Sequence, residues 1–184
     1  MERWLLTSTG FDNPRLREAF LGLVDKVPKE IRVLFIPTAA QDEEAKAVLP
    51  ACRGDLLEAG VLEAHICDYD LDRRLRDEEI EHFDAIYVCG GDPQHLANCM
   101  AKCQFAEILK RFFDLGGVYI GVSAGSMVLS QSVSNGLGRL DVKLEVHKKE
   151  GSPIGKVDLQ GVEAIRLTDH TGLVLIGNDA EIIE

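Results

Sequence analysis

The sequence is short of positive charge. Its 184 residues carry 20 Lys and Arg against 31 Asp and Glu, a formal net charge of −11. An acidic surface repels phosphates, which argues against a nucleic-acid partner and against anionic membranes. Long apolar runs are missing too: nothing approaches the roughly 20 residues of a spanning helix. The opening MERWLLTSTG has too short an apolar stretch for a secretory signal. The five cysteines, Cys52, Cys67, Cys89, Cys99 and Cys103, are odd in number, and the close pair is spaced C-x3-C. That spacing makes neither a zinc ribbon nor a CxxC redox motif. Free thiols without a signal fit a reducing cytoplasm. H-E-x-x-H, Walker A and G-x-G-x-x-G are all absent, so no metal and no cofactor is expected. Repeats, low-complexity segments and linkers are absent as well, and the length suits one domain spanning 1–184.

What is present is a globular mixture, 46% hydrophobic and 28% charged, arranged as alternating strand and helix signals. Residues 3–7 (RWLLT) read as a strand. Asn13-Pro14 supplies a cap and a first-turn proline for an amphipathic helix. Residues 31–37 (IRVLFIP) form a nearly continuous apolar run, as in a strand buried on both faces. Residues 41–59 are helical in period, with Pro50 expected to kink or divide the helix. Further strands are expected at 62–68, 85–89 and 117–122, and helices at 93–102, 104–114 and from Ser123 onward. After about residue 135, short runs at 142–147, 162–167 and 173–176 read as strands extending or flanking the sheet, some antiparallel. The pattern predicts an α/β three-layer sandwich around a mostly parallel sheet.

The sharpest motif is Gly121-Val122-Ser123-Ala124-Gly125, which ends a strand and opens a helix. A tight strand-to-helix turn of this kind lifts a serine hydroxyl above the sheet as a nucleophile and aims the next N–H, that of Ala124, at a developing oxyanion. The same residues also suit a glycine-rich turn with Ser123 as helix cap. A second turn, Gly90-Gly91-Asp92-Pro93, closes the 85–89 strand and can supply another oxyanion donor. Asp92 is expected to cap the following helix, and His95 in its first turn is placed to line a pocket; both are candidates for substrate binding. Cys89, just inside this turn, reads as a strand residue. The base would come from His65, His82, His95, His147 or His170, and the residues alone leave the choice open.

Several of these features together resemble peptidase family S51, the aspartyl dipeptidase (peptidase E) and cyanophycinase group, whose fold is like class I glutamine amidotransferases. The resemblance rests on Ile36-Pro37, on Gly90, Gly91 and Leu96, and above all on Tyr119-Ile120-Gly121-Val122-Ser123-Ala124-Gly125-Ser126. Residues 136–147 look like the family's approach to its histidine. Residues 167–169 (LTD) look like a later L-x-[DE]-G element, with His170 in place of the glycine. The resemblance implies Ser123 as nucleophile, His147 as base, Asp169 as the acid that orients it, and Gly91 and Ala124 as oxyanion donors. Glu145 shares the His147 face of an extended strand and is the alternative acid. The implied substrate is a small peptide or amide, Asp-X dipeptides by family precedent, and the implied assembly is a homodimer. The chain shortens the segments on either side of His147. It has no evident match to the family's substrate-selecting arginine loop, so Lys148, Lys149 and Arg166 are candidate anchors. The alternative function is a non-catalytic binding or regulatory protein that retains the elbow.

Overall fold

Five short apolar runs build the parallel part of one sheet. The computed structural model describes residues 1–184. The strands are β1 (Arg3–Thr7), β2 (Val33–Ile36), β3 (Ile66–Asp68), β4 (Ala85–Val88), β5 (Val118–Val122), β6 (Lys143–Glu145), β7 (Gly155–Val157), β8 (Ala164–Arg166), β9 (Gly172–Ile176) and β10 (Asp179–Ile183). The helices are α1 (Pro14–Val24), α2 (Glu43–Glu58), α3 (Asp77–Ile80), α4 (Pro93–Lys102), α5 (Phe105–Asp114) and α6 (Ala124–Met127). The main sheet runs β3-β2-β4-β5-β1-β9-β10-β7. Its first five strands are parallel, and β9, β10 and β7 continue it antiparallel.

Successive side chains of a strand face opposite ways, so one sheet makes two cores. Trp4, Leu6, Leu34 and Ile36 pack on one side with α3, α4, α5 and α6. Leu5, Val33, Phe35 and Tyr87 pack on the other with α1 and α2. Helices on both faces explain why β2, β4 and β5 are buried throughout. The expected mixed α/β three-layer architecture is present.

Local signals act as their chemistry dictates. Asn13 Oδ1 accepts from Arg15 N at 2.9 Å and Leu16 N at 3.1 Å, and Pro14 fills the first helical position. Pro50 does not divide its helix: α2 runs unbroken from Glu43 to Glu58. Pro50 lies on the exposed face, where water can satisfy the carbonyl that its missing N–H leaves free. The strand expected at 62–68 shrinks to Ile66–Asp68, preceded by a 3-10 turn at Glu63–His65. The runs at 142–147 and 162–167 do not join the main sheet. Their cores, β6 and β8, pair parallel with each other in a separate two-stranded sheet.

Asp55 on α2 is a carboxylate facing this core. Its Oδ2 accepts from the Tyr87 hydroxyl at 2.7 Å and from Phe11 N at 3.0 Å. Burial pushes its pKa up, and the two donors offset only part of that. The unfolded group titrates near 3.9, so folding takes up a proton between that value and the higher folded one. The contribution of Asp55 therefore favours folding most at low pH and declines as the pH rises through its folded pKa. In urea melts, the stability of Asp55→Asn relative to wild type is expected to rise from pH 3 upward and then level off. A difference that does not change with pH would contradict this.

Candidate active site

The central turn follows β5. Ser123 has φ 49° and ψ −107°, a left-handed conformation for a residue with a Cβ. Such conformations cost about 1–3 kcal/mol and persist where the surroundings over-determine them. Here they do. Ser123 N donates to Thr7 O at 2.9 Å, and Ser123 O accepts from Ser126 N and Met127 N, both at 2.9 Å. The buried Ser126 Oγ lies 2.7 Å from Gly121 O and 2.8 Å from Thr7 O, and accepts from Thr7 N at 3.0 Å. Tyr119 donates its hydroxyl to Gly125 O at 2.7 Å. A Cβ on Gly125 would sit 2.3 Å from Val88 O, and one on Gly121 would sit 2.6 Å from Gly125 O. The two glycines of the motif thus let α6 settle directly onto β4 and β5. The Ser123 side chain makes no capping bond to its helix, so its hydroxyl is free for another partner.

That partner is His147. Its Nε2 lies 3.0 Å from Ser123 Oγ, and its Nδ1 lies 2.7 Å from Asp169 Oδ1. Both His147 and Asp169 side chains are about half exposed, at 49% and 54%, so the pair is open to solvent and to a ligand. Topology explains the meeting. Parallel pairing of β6 with β8 sets Glu145 beside Arg166, so the chain leaves both strands at the same end, with His147 two residues on and Asp169 three. The bonds Leu167 N to Glu145 O at 2.8 Å and Lys148 N to Leu167 O at 3.0 Å continue the pairing past the strands. His147 itself takes a left-handed φ of 55°, which turns its ring out of the strand line.

The residues that tie this unit to the main sheet carry no motif. Ser8 Oγ accepts from His147 N at 3.1 Å and lies 3.3 Å from Leu167 O. Thr9 Oγ1 donates to Asp169 O at 2.6 Å. Asn13 Nδ2 donates to His170 O at 2.6 Å, and the His170 ring pairs with Asp12. The loop after β1 therefore anchors the backbone of both His147 and Asp169. The one hint in the sequence is a run of small hydroxyl residues, Thr7-Ser8-Thr9, where an apolar strand ends.

Ser123, His147 and Asp169 share a cleft of about 430 Å3 with Ser8, Thr9, Gly90, Gly91 and Val122, and one face of α2 closes its side. The cleft opens at the carboxyl ends of β4, β5 and β1, the usual place for ligands on such sheets. Gly91 has φ 138° and packs against the Ala39 carbonyl, which leaves no room for a side chain. Ala124 follows Ser123 as the buried first residue of α6. Asp92 and His95 lie apart from the cleft lining. The Asp92 carboxylate caps α4, accepting from Gln94 N and His95 N at 2.9 Å each. His95 Nε2 lies 3.4 Å from Cys99 Sγ, one turn along the same helix. Glu145 engages Arg166 at 3.2 Å and Lys148 at 3.4 Å, which hold its carboxyl below the usual range. Those two cations are thereby occupied. Cys89 is fully buried, and burial pushes its thiol up, away from thiolate chemistry.

The family model for peptidase family S51 matches residues 4–148. An uncharacterized peptidase of Pasteurella multocida (strain Pm70) is 30% identical over 104 residues, 55% of this chain. The matched part covers 49% of that relative, so the likeness spans about half its length. Among solved structures, a candidate peptidase E protein from Listeria monocytogenes EGD-e superposes with a TM-score of 0.76 at 20% identity, covering 100% of this chain and 98% of the other. A peptidase from an acI-B1 Actinobacterium superposes with a TM-score of 0.72 at 23% identity, covering 100% and 87%. At these identities the two structures show a shared fold.

Two outcomes follow from the packing. Gly125→Ala drives a Cβ into the Val88 carbonyl and is expected to lower the unfolding free energy by about 3 kcal/mol in urea melts. Ser8→Ala leaves His147 N and Leu167 O without their shared partner. It is expected to cost about 1–3 kcal/mol and to speed amide exchange at residues 145–148 and 167, with β4 and β5 unchanged.

Proposed function

The chain belongs to peptidase family S51, and we propose that it is a serine-dependent hydrolase of small peptides or related amides. The observation that carries this reading is the continuous line from Asp169 Oδ1 to His147 Nδ1 at 2.7 Å and from His147 Nε2 to Ser123 Oγ at 3.0 Å. Asp169 accepts a hydrogen bond from Nδ1–H and so selects the tautomer with an unprotonated Nε2. That nitrogen takes the Ser123 proton as Oγ attacks the scissile carbonyl. The oxyanion is held by the N–H groups of Gly91 and Ala124, which flank Ser123 on the β4 turn and on α6. Protonated His147 gives its proton to the leaving amine as the C–N bond breaks. Water, deprotonated by His147, then releases the acyl group from Ser123.

A cleft of about 430 Å3 is of a size for a small substrate. Asp-X dipeptides are the substrates that family resemblance puts forward first. The place of action proposed is the cytoplasm. The site asks for no metal: nucleophile, base, acid and oxyanion donors all come from the chain.

The test is hydrolysis of a dipeptide panel (Asp-X, Glu-X, Ala-X, Leu-X and N-blocked forms) by wild type and three variants. Ser123→Ala and His147→Ala are each expected to lower kcat/KM by about ten-thousand-fold or more. Asp169→Asn is expected to cost about a thousand-fold, through loss of the correct tautomer. A Ser123→Ala protein that cleaves as fast as wild type contradicts the nucleophile. An unaffected Asp169→Asn beside a crippled Glu145→Gln would move the acid to Glu145.

A further inference from the structure

One wall of the cleft plays no part in the bond-breaking chemistry. It comes from α2, where Ala45, Val48, Leu49 and Cys52 all line the space beside Ser123. These positions are spaced i, i+3, i+4 and i+7, the period of a single helix face. Cys52 is buried and Leu49 half-buried, while Val48 is 54% exposed; the other exposed positions of the helix are Glu43, Glu44, Lys46 and Glu58 with Ala47, Pro50, Ala51 and Leu57. An apolar stripe that starts in the core and surfaces next to a nucleophile has one evident ligand, the group attached to the carbonyl under attack.

The charges around the stripe point the same way. Asp169 is the one fixed charge among the lining residues, and it is negative. The amino end of α2 carries Asp42, Glu43 and Glu44, and the Asp42 carboxylate accepts from one of the helix's first N–H groups, that of Ala45, at 2.8 Å. Of the cations close in sequence to these residues, Lys46 pairs with Glu43 at 3.6 Å and Lys148 and Arg166 pair with Glu145, while Lys149 is exposed and does not line the cleft. A carboxylate placed against the stripe would lose water and gain no partner, which costs more than leaving it in solution. An apolar side chain placed there removes its own surface and that of Val48 from water.

We propose that the side chain beside the scissile carbonyl is uncharged and apolar, seated against Ala45, Val48, Leu49 and Cys52, and that aspartyl substrates are disfavoured. This rests on Ser123 being the nucleophile; it keeps the hydrolase reading and puts apolar substrates in place of the Asp-X dipeptides that family resemblance suggests. A pocket of this kind discriminates by contact area, about ten-fold or more for a side chain that fills it over one that does not.

The test uses diphenyl aminoalkylphosphonates bearing leucine, alanine or aspartate side chains. With these reagents Ser123 Oγ bonds to phosphorus and the P–O bond to phenol breaks. The serine proton leaves on the phenol. Labelling rates are read by intact mass, beside a small alkyl fluorophosphonate as a general probe of serine reactivity. The leucine reagent is expected to label at least about ten-fold faster than the aspartate reagent. Val48→Arg, at an exposed position that tolerates charge, is expected to shift that ratio about ten-fold or more toward aspartate. Equal or faster labelling by the aspartate reagent overturns the proposal, and so does a ratio that Val48→Arg leaves unchanged. Reaction with the fluorophosphonate but with none of the aminoalkyl reagents also overturns it, with the nucleophile intact. No reaction with any reagent overturns the hydrolase reading, and this proposal with it.

Discussion

How close α6 can come to β4 and β5 decides the geometry of everything above the sheet. Gly125 packs against the Val88 carbonyl and Gly121 against Gly125, at separations that no Cβ could share. Between them Ser123 is held at a positive φ. That conformation is unfavourable by itself, and the Ser126 hydroxyl, bonded at once to Thr7 and Gly121, ties the strained turn to two neighbouring strands. Strain and restraint are thus adjacent in sequence and balanced in space. The result is a hydroxyl that points away from its own helix.

The second half of the site is built by a different device. His147 and Asp169 lie 22 residues apart in a region with little regular structure. A three-residue parallel pairing of β6 with β8 brings their strands together, and the loop after β1 anchors the pair to the sheet through Ser8 and Thr9. Parallel pairing matters here because it sends both chains out at the same end. An antiparallel pair of equal length would have carried them to opposite ends. The strand β1 and the loop after it serve both halves: Thr7 bonds to the elbow, and Ser8 and Thr9 bond to the segments of His147 and Asp169.

Much of this is legible in the sequence because the signals are local. The Asn13-Pro14 cap, the apolar runs of β2, β4 and β5, and the strand-turn-helix context of Ser123 each depend on residues within one or two turns. The two bonded partners of His147 are harder. Five histidines carry equal weight until the family resemblance selects one, because the contacts of His147 are with Ser8, Ser123 and Asp169, 22 to 139 residues away. Ser8 and Thr9 go unread for the same reason: a hydroxyl after a strand has no periodicity. Pro50 does not divide α2, since its effect depends on which face of the helix it occupies. Asp92 and His95 are adjacent to the glycine turn in sequence but are directed along α4 instead, Asp92 because the free N–H groups of that helix claim its carboxylate.

The proposed hydrolase requires that the elbow deliver an activated serine and that its activation come from His147. The most direct measurement is labelling of the native protein by a small alkyl fluorophosphonate, followed by intact mass and peptide mapping, in wild type and in His147→Ala. A single adduct on Ser123 is expected in wild type, with a rate at least about a hundred-fold lower in His147→Ala. An adduct elsewhere, or a Ser123 that reacts as fast without His147, would contradict it.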